Sequence, residues 1–136
     1  MHAIRLRGGW TLANPAASID PTLPPNPRLN LPIHWPSSLP RLVRLERRFN
    51  SPPVNPTLER VALRLEAVPG LLSANLNGQP LPDVNPANHA IVVHVNLTPR
   101  STNLLTLEVN LDIARQLLQN DPWGCVALEI QPISPP

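Results

Sequence analysis

Three tryptophans and four histidines are the side chains of this chain best suited to chemistry. Trp10, Trp35 and Trp123 offer flat apolar rings with a polar edge, the shape that fits the C–H face of a sugar. In a chain with only 3% aromatic residues the same rings also serve as core plugs. Trp10 and Trp123 abut strand patterns, whereas Trp35 lies in a loop. His34 and Trp35, with Asn88 and His89, therefore form the candidate ligand-binding surface, set at loop ends. His2, His34, His89 and His94 have no Cys or carboxylate at ligand spacing on a shared element, so no metal site is expected.

Catalytic chemistry finds little to work with. Cys125 is the sole cysteine, its neighbours read as a buried strand, and no Ser or Cys nucleophile motif is present. Gly8-Gly9 stands alone and makes no phosphate loop, so no cofactor is expected. Acid–base work would need convergence of Asp83, Asp112, Asp121 or their neighbours, and nine acidic residues spread along the chain suit turns and surface instead. All 11 basic residues are arginine, and the net charge of +2 is too small for a nucleic-acid binder, which concentrates cations on one face beside stacking aromatics. Arg41, Arg44, Arg47 and Arg48 form the one cluster, and on an alternating strand they divide between two faces. That division suits a solvated face or local ion pairs, with an anionic-ligand site as the other reading.

The elements that must position these residues are strands. Val61, Leu63, Leu65 and Ala67 alternate with Ala62, Arg64 and Glu66, and Leu72, Ala74 and Leu76 repeat the pattern up to Asn77-Gly78. Two residues that tolerate positive φ make that pair a type I′ hairpin turn. Val43, Leu45 and Phe49 alternate with Arg44, Glu46 and Arg48, which leaves Arg47 on the apolar parity in need of a partner or the end of a sheet. Ile91, Val93, Val95 and Leu97 form a further strand, as do Leu105, Leu107, Val109 and Leu111, and Val126, Leu128 and Ile130. Ile4, Leu6, Trp10 and Leu12 predict one strand with a bend or bulge at Gly8-Gly9. Asp112 to Gln119 has helical spacing, with Asn110 or Asp112 as its cap.

Proline punctuates this pattern. Because it donates no ladder hydrogen bond, it is kept to strand ends and turns, and Pro40, Pro52, Pro56, Pro69, Pro80, Pro86, Pro99 and Pro122 fall where strands should stop. Residues 13–40 hold eight prolines and no clear period, which predicts a long loop wrapping the body. The chain thus reads as one β-sandwich domain over residues 1–131 with a frayed tail at 132–136: about eight antiparallel strands, all-β. No apolar signal region and no run approaching a membrane span is encoded, so a cytoplasmic setting is expected.

Taken in order, several segments resemble the N-terminal sugar-binding domain of glycoside hydrolase family two enzymes such as β-galactosidase, β-glucuronidase and β-mannosidase. Leu29 to Trp35, LNLPIHW, is similar to the Pro-x-x-Trp segment of that family, and Arg47-Arg48-Phe49 to its Arg-Arg-x-Phe stretch. Leu76 to Leu81 matches its Asn-Gly hairpin, Val95 to Thr98 its Phe-Asp-Val-Thr strand end, Asn103 to Val109 its Asn-x-Leu-x-Val strand, and Trp123-Gly124 its Trp-Gly-x-Val. The resemblance implies a galactose-binding-domain-like jelly roll. The family's catalytic carboxylates lie on a barrel outside this span, so the resemblance implies no hydrolase activity.

Two functional classes lead, with an enzyme a distant third. One is a stand-alone, non-catalytic carbohydrate-binding or accessory module; the other is a protein-interaction or structural module without a sugar ligand. Trp35 gathered with His34 and His89 in one polar pocket favours the first, and a flat apolar patch or a sheet edge buried by a second copy favours the second.

Overall fold

The computed structural model describes residues 2–13, 28–36, 39–55, 57–87, 90–97 and 102–133. Ten strands and one helix follow in the order β1 (His2–Arg5), β2 (Trp10–Leu12), β3 (Arg28–Leu29), β4 (Leu42–Asn50), β5 (Glu59–Glu66), β6 (Leu71–Leu76), β7 (Gln79–Pro80), β8 (Ala90–Val95), β9 (Thr102–Asn110), α1 (Leu111–Leu118) and β10 (Cys125–Pro132). They form two sheets, one ordered β1-β10-β5-β8 and the other β3-β2-β4-β9-β6-β7. Every pairing is antiparallel. The inward parity of β4 and β9 (Val43, Leu45, Leu105, Leu107, Val109) and that of β5 and β10 (Val61, Leu63, Leu65, Val126, Leu128) are buried in one core. This is the all-β sandwich that the alternation predicts, because each sheet has one apolar face and can hide it only against the other.

The N-terminal segment departs from the single bulged strand expected of it. β1 pairs with β10 in one sheet and β2 with β4 in the other, so Gly8-Gly9 carries the chain between sheets. Gly9 sits at φ +77°, in the region glycine enters freely. Leu6 and Trp10 keep the same apolar parity because both face the shared core from opposite sides, and Trp10 Nε1 donates to the Leu6 carbonyl across the step at 2.7 Å. Arg47 resolves its misplaced parity here: its side chain packs against Gly9, Nε donates to the Gly8 carbonyl at 2.6 Å, and Nη1 donates to the Arg48 carbonyl.

Asn77-Gly78 forms the expected turn, with φ +53° and +82° and Leu76 paired to Gln79 on either side. α1 begins one residue before the predicted helix, and its N-cap is Asn110, whose side-chain oxygen accepts from Asp112 N and Ile113 N. Within residues 13–40, where the sequence shows only loop, β3 adds a two-residue edge strand and Ile33 forms an antiparallel bridge with Trp123. Neither is long enough to write a period into the sequence. The Leu31–Pro32 bond is cis, and Leu31 is buried over Gly124.

Candidate functional site

One end of the sandwich gathers four segments: residues 31–36, the 67–70 turn, α1, and 121–124. Ile33 N donates to Trp123 O at 2.9 Å and Trp123 N to Ile33 O at 2.7 Å, so the Pro-rich segment is tied directly to the start of β10. Trp123 is fully buried and its Nε1 donates to the Pro69 carbonyl at 2.8 Å. Gly70 lets the 67–70 turn lie against α1, because a Cβ there would come within 2.5 Å of the Asn110 carbonyl. Arg115 from the last turn of α1 donates to the Pro36 carbonyl at 2.6 Å and closes the ring of segments.

Trp35 projects from this framework. Its ring lies 5.4 Å from that of Trp123, centroid to centroid, with the planes tilted by 55°. That is within the range of favourable tilted aromatic pairs. The buried ring thus braces the half-buried one. Trp35 Nε1 is buried and has no hydrogen-bond partner among the described residues. Beside it a cleft of about 140 Å³ is lined by His34, Trp35, Arg115, Leu118, Gln119, Asn120 and Asp121. The cleft offers an imidazole, a guanidinium, two amides and a carboxylate around one aromatic ring.

The structure therefore brings His34 and Trp35 to one polar cleft. Asn88 and His89 lie outside the described residues. Their neighbours reach the same end of the sandwich: Ala90 pairs with Glu66 at the end of β8, and Pro86 O accepts from Gly70 N at 2.9 Å. His94 is exposed on β8 opposite Ala62, and His2 is exposed on β1. No group of three or more His, Cys, Asp or Glu able to hold a metal occurs among the described residues. Trp10 and Trp123 are core plugs with satisfied N–H groups, as their place beside strands suggests.

Arg115, Gln119, Asn120 and Asp121 are the polar cleft residues that sequence reasoning missed. They lie in the last turn of a helix whose amphipathic spacing was legible or just after it, but nothing in that spacing says that this end meets a loop some 80 positions earlier, where Arg115 finds Pro36. The arginine cluster also divides. Arg44 pairs with Glu108 at 3.2 Å across β4 and β9, Arg47 is spent on the Gly8 carbonyl, and Arg41 and Arg48 are exposed. On the outer face of the other sheet, Arg64 binds Glu129 at 2.5 Å and Glu66 at 3.2 Å. The bond from Glu129 holds the Arg64 guanidinium pKa above its usual value.

No family model matches the sequence, and no curated protein matches it. Solved structures do. The chain is similar to the β-glucuronidase of Bifidobacterium dentium, solved with coumarin-3-O-glucuronide, at 18% identity and a TM-score of 0.67, over 98% of this chain and 30% of that one. A β-glucuronidase of Dictyoglomus thermophilum matches at 11% identity and a TM-score of 0.69, over 96% of this chain and 28% of its own. That of Faecalibacterium prausnitzii matches at 16% and 0.60, over 96% and 32%. The chain thus spans about 30% of the length of these enzymes. What these likenesses show is a fold: the chain is an all-β sandwich of the kind that makes up part of the β-glucuronidases of glycoside hydrolase family two.

Proposed function

We propose that this chain is a non-catalytic carbohydrate-binding module that holds one sugar ring at the Trp35 cleft. The observation that carries the reading is the pairing of Trp35 with Trp123, which fixes an aromatic ring beside His34, Arg115, Gln119 and Asp121. A braced ring loses little side-chain freedom on binding, and the surrounding groups can donate to or accept from hydroxyls. A cleft of about 140 Å³ is smaller than the roughly 300 Å³ at which enclosed small-molecule sites begin, so it suits the edge of one ring and weak, millimolar affinity. Asp121 is the one carboxylate among the described residues lining it, whereas glycoside hydrolysis ordinarily takes a facing pair. The likeness to enzymes solved with glucuronides and D-glucuronic acid makes uronic acids the first ligands to try.

The test is a heteronuclear NMR titration with D-glucuronic acid, galactose and mannose. Saturable shifts at His34, Arg115 and Asp121 that vanish in Trp35→Ala support the reading. No response at tens of millimolar sugar removes it.

One observation favours the second class. β8 is an edge strand, paired on one side only among the described residues, and AIVVHV carries no formal charge while Val92 is exposed. Such an edge accepts an added strand from a protein partner. Concentration-dependent sedimentation abolished by Val93→Pro would support it over the sugar reading.

A further inference from the structure

We propose a second ligand site, on the outer face of the six-stranded sheet, that binds the oxyanion of a hydroxylated small molecule. A groove of about 590 Å³ runs there, lined by Gly9, Thr11, Ala13, Arg28, Glu46 and Arg48. Its shape follows from the sequence of three neighbouring strands. Trp10 and Leu12 of β2 point into the core, so the outward residues around them are Gly9, Thr11 and Ala13, all small. Thr11 pairs with Arg28 on β3 and with Glu46 on β4, which places long side chains on both flanks of a small-residue floor. With strands about 4.8 Å apart, Arg28, Thr11 and Glu46 form one row roughly 10 Å across. Arg48 follows two residues along β4, on the same face as Glu46. The register that pairs Thr11 with Glu46 brings Gly9, which has no side chain, abreast of Arg48.

Among the described residues, the charges lining this trough are uncommitted. Arg44 is bound to Glu108, Arg47 to the Gly8 carbonyl, Arg64 to two glutamates and Arg115 to Pro36. Arg28, Glu46 and Arg48 make no ion pair or side-chain hydrogen bond among the described residues, although Arg28 and Glu46 flank the same threonine. Two guanidinium groups on opposite walls, unpaired among the described residues and with a hydroxyl between them, suit a planar or tetrahedral oxyanion. Glu46 would reject a bare anion but accepts a hydroxyl proton donor, so it selects an anion that also carries hydroxyls. The described lining holds no aromatic platform, which separates its chemistry from that of the Trp35 cleft. This site stands independently of the sugar reading at that cleft.

Carboxylate and phosphate share this recognition chemistry, and the test separates them. The intact protein is titrated by heteronuclear NMR with gluconate, glycerol phosphate, acetate and neutral sorbitol at constant ionic strength. Saturable shifts at Thr11, Arg28, Glu46 and Arg48 with gluconate or glycerol phosphate, and none with sorbitol, are expected; the tighter of the two names the source. Arg28→Gln combined with Arg48→Gln weakens binding at least tenfold while leaving the rest of the spectrum in place. Glu46→Gln weakens gluconate relative to acetate, the opposite of what removing a nonspecific negative charge would do. Equal responses to sorbitol and gluconate, shifts that track ionic strength alone, or undiminished binding in the double variant each overturn the proposal.

Discussion

Asn77, the first residue of the hairpin turn, donates from Nδ2 to Oδ1 of Asn103 on the neighbouring strand at 2.9 Å. Its own Oδ1 accepts from Leu104 N at 2.8 Å, and Asn103, fully buried, passes the chain on by donating to Ser51 Oγ at 2.9 Å. Asparagine at the turn therefore does two things: it tolerates positive φ, and it fastens the β6–β7 hairpin to β9 and to the end of β4. A turn that needed only positive φ could have used glycine.

Asn103→Ala removes the middle of that chain and leaves the Asn77 amide without its acceptor. Losing a buried polar group whose partners stay behind costs about 2 kcal/mol. Urea denaturation should show that loss with an unchanged m-value, while Asn77→Gly, which keeps the turn geometry, should cost about 1 kcal/mol through its hydrogen bonds alone.

Gly70 and Gly78 both sit at φ +82°, but only one is crowded. A Cβ on Gly70 would lie 2.5 Å from Asn110 O and 3.0 Å from Ala114 N, whereas one on Gly78 meets nothing within 4 Å. Gly78→Ala should cost about 1 kcal/mol, the backbone penalty by itself. Gly70→Ala adds a backbone clash and should cost about 3 kcal/mol or more. Equal melting temperatures for the two variants would refute the close approach of the 67–70 turn to α1.

Arg64 lies over Glu129, which is 3% exposed on the outer face of the four-stranded sheet. Because the folded pKa of Arg64 is raised, its contribution is complete below the ordinary arginine value and is lost only as pH rises through the higher folded value. Over about pH 6–9 the guanidinium is therefore charged in both states and adds no pH dependence. Arg64→Gln should lower the melting temperature by an amount that stays constant over that window, and a double-mutant cycle with Glu129→Gln should show coupling between the two.

Trp123 and Trp35 should separate by energetics and by spectrum. Trp123→Ala empties a fully buried site and orphans the Pro69 carbonyl, at a cost of about 3–5 kcal/mol. Trp35→Ala removes a half-buried ring and should cost about 1–2 kcal/mol. Trp35→Ala should also abolish any coupled-tryptophan signal in the near-ultraviolet circular dichroism, since Trp10 has no ring contact with Trp123 among the described residues.

Legibility in the sequence followed the length of each element. β4, β5, β9 and β10 run eight or nine residues each and write a clear period of two, so their inward faces were readable from Val43, Leu63, Leu107 and Leu128. Leu6 and Trp10 were readable as core but not as parts of different sheets, because parity is preserved when a strand crosses between two faces of one core. The Trp35 cleft was half legible. His34 and Trp35 stood out as aromatic and polar residues in a loop, while Arg115, Gln119 and Asp121 joined them through contacts between segments far apart in the chain.

By itself, then, the sequence determined the periods of β4, β5, β9 and β10, the Asn77-Gly78 turn, the helix after β9 and the burial of Trp10 and Trp123. Those are local consequences of backbone sterics and of side-chain alternation against an apolar interior. Tertiary structure alone decided the pairing order of the strands, the partner of Arg47, the bracing of Trp35 by Trp123 and the small-floored trough between Arg28 and Arg48. Each of these depends on which strands become neighbours, and burial of the same apolar faces can be satisfied by more than one order until the whole sandwich closes.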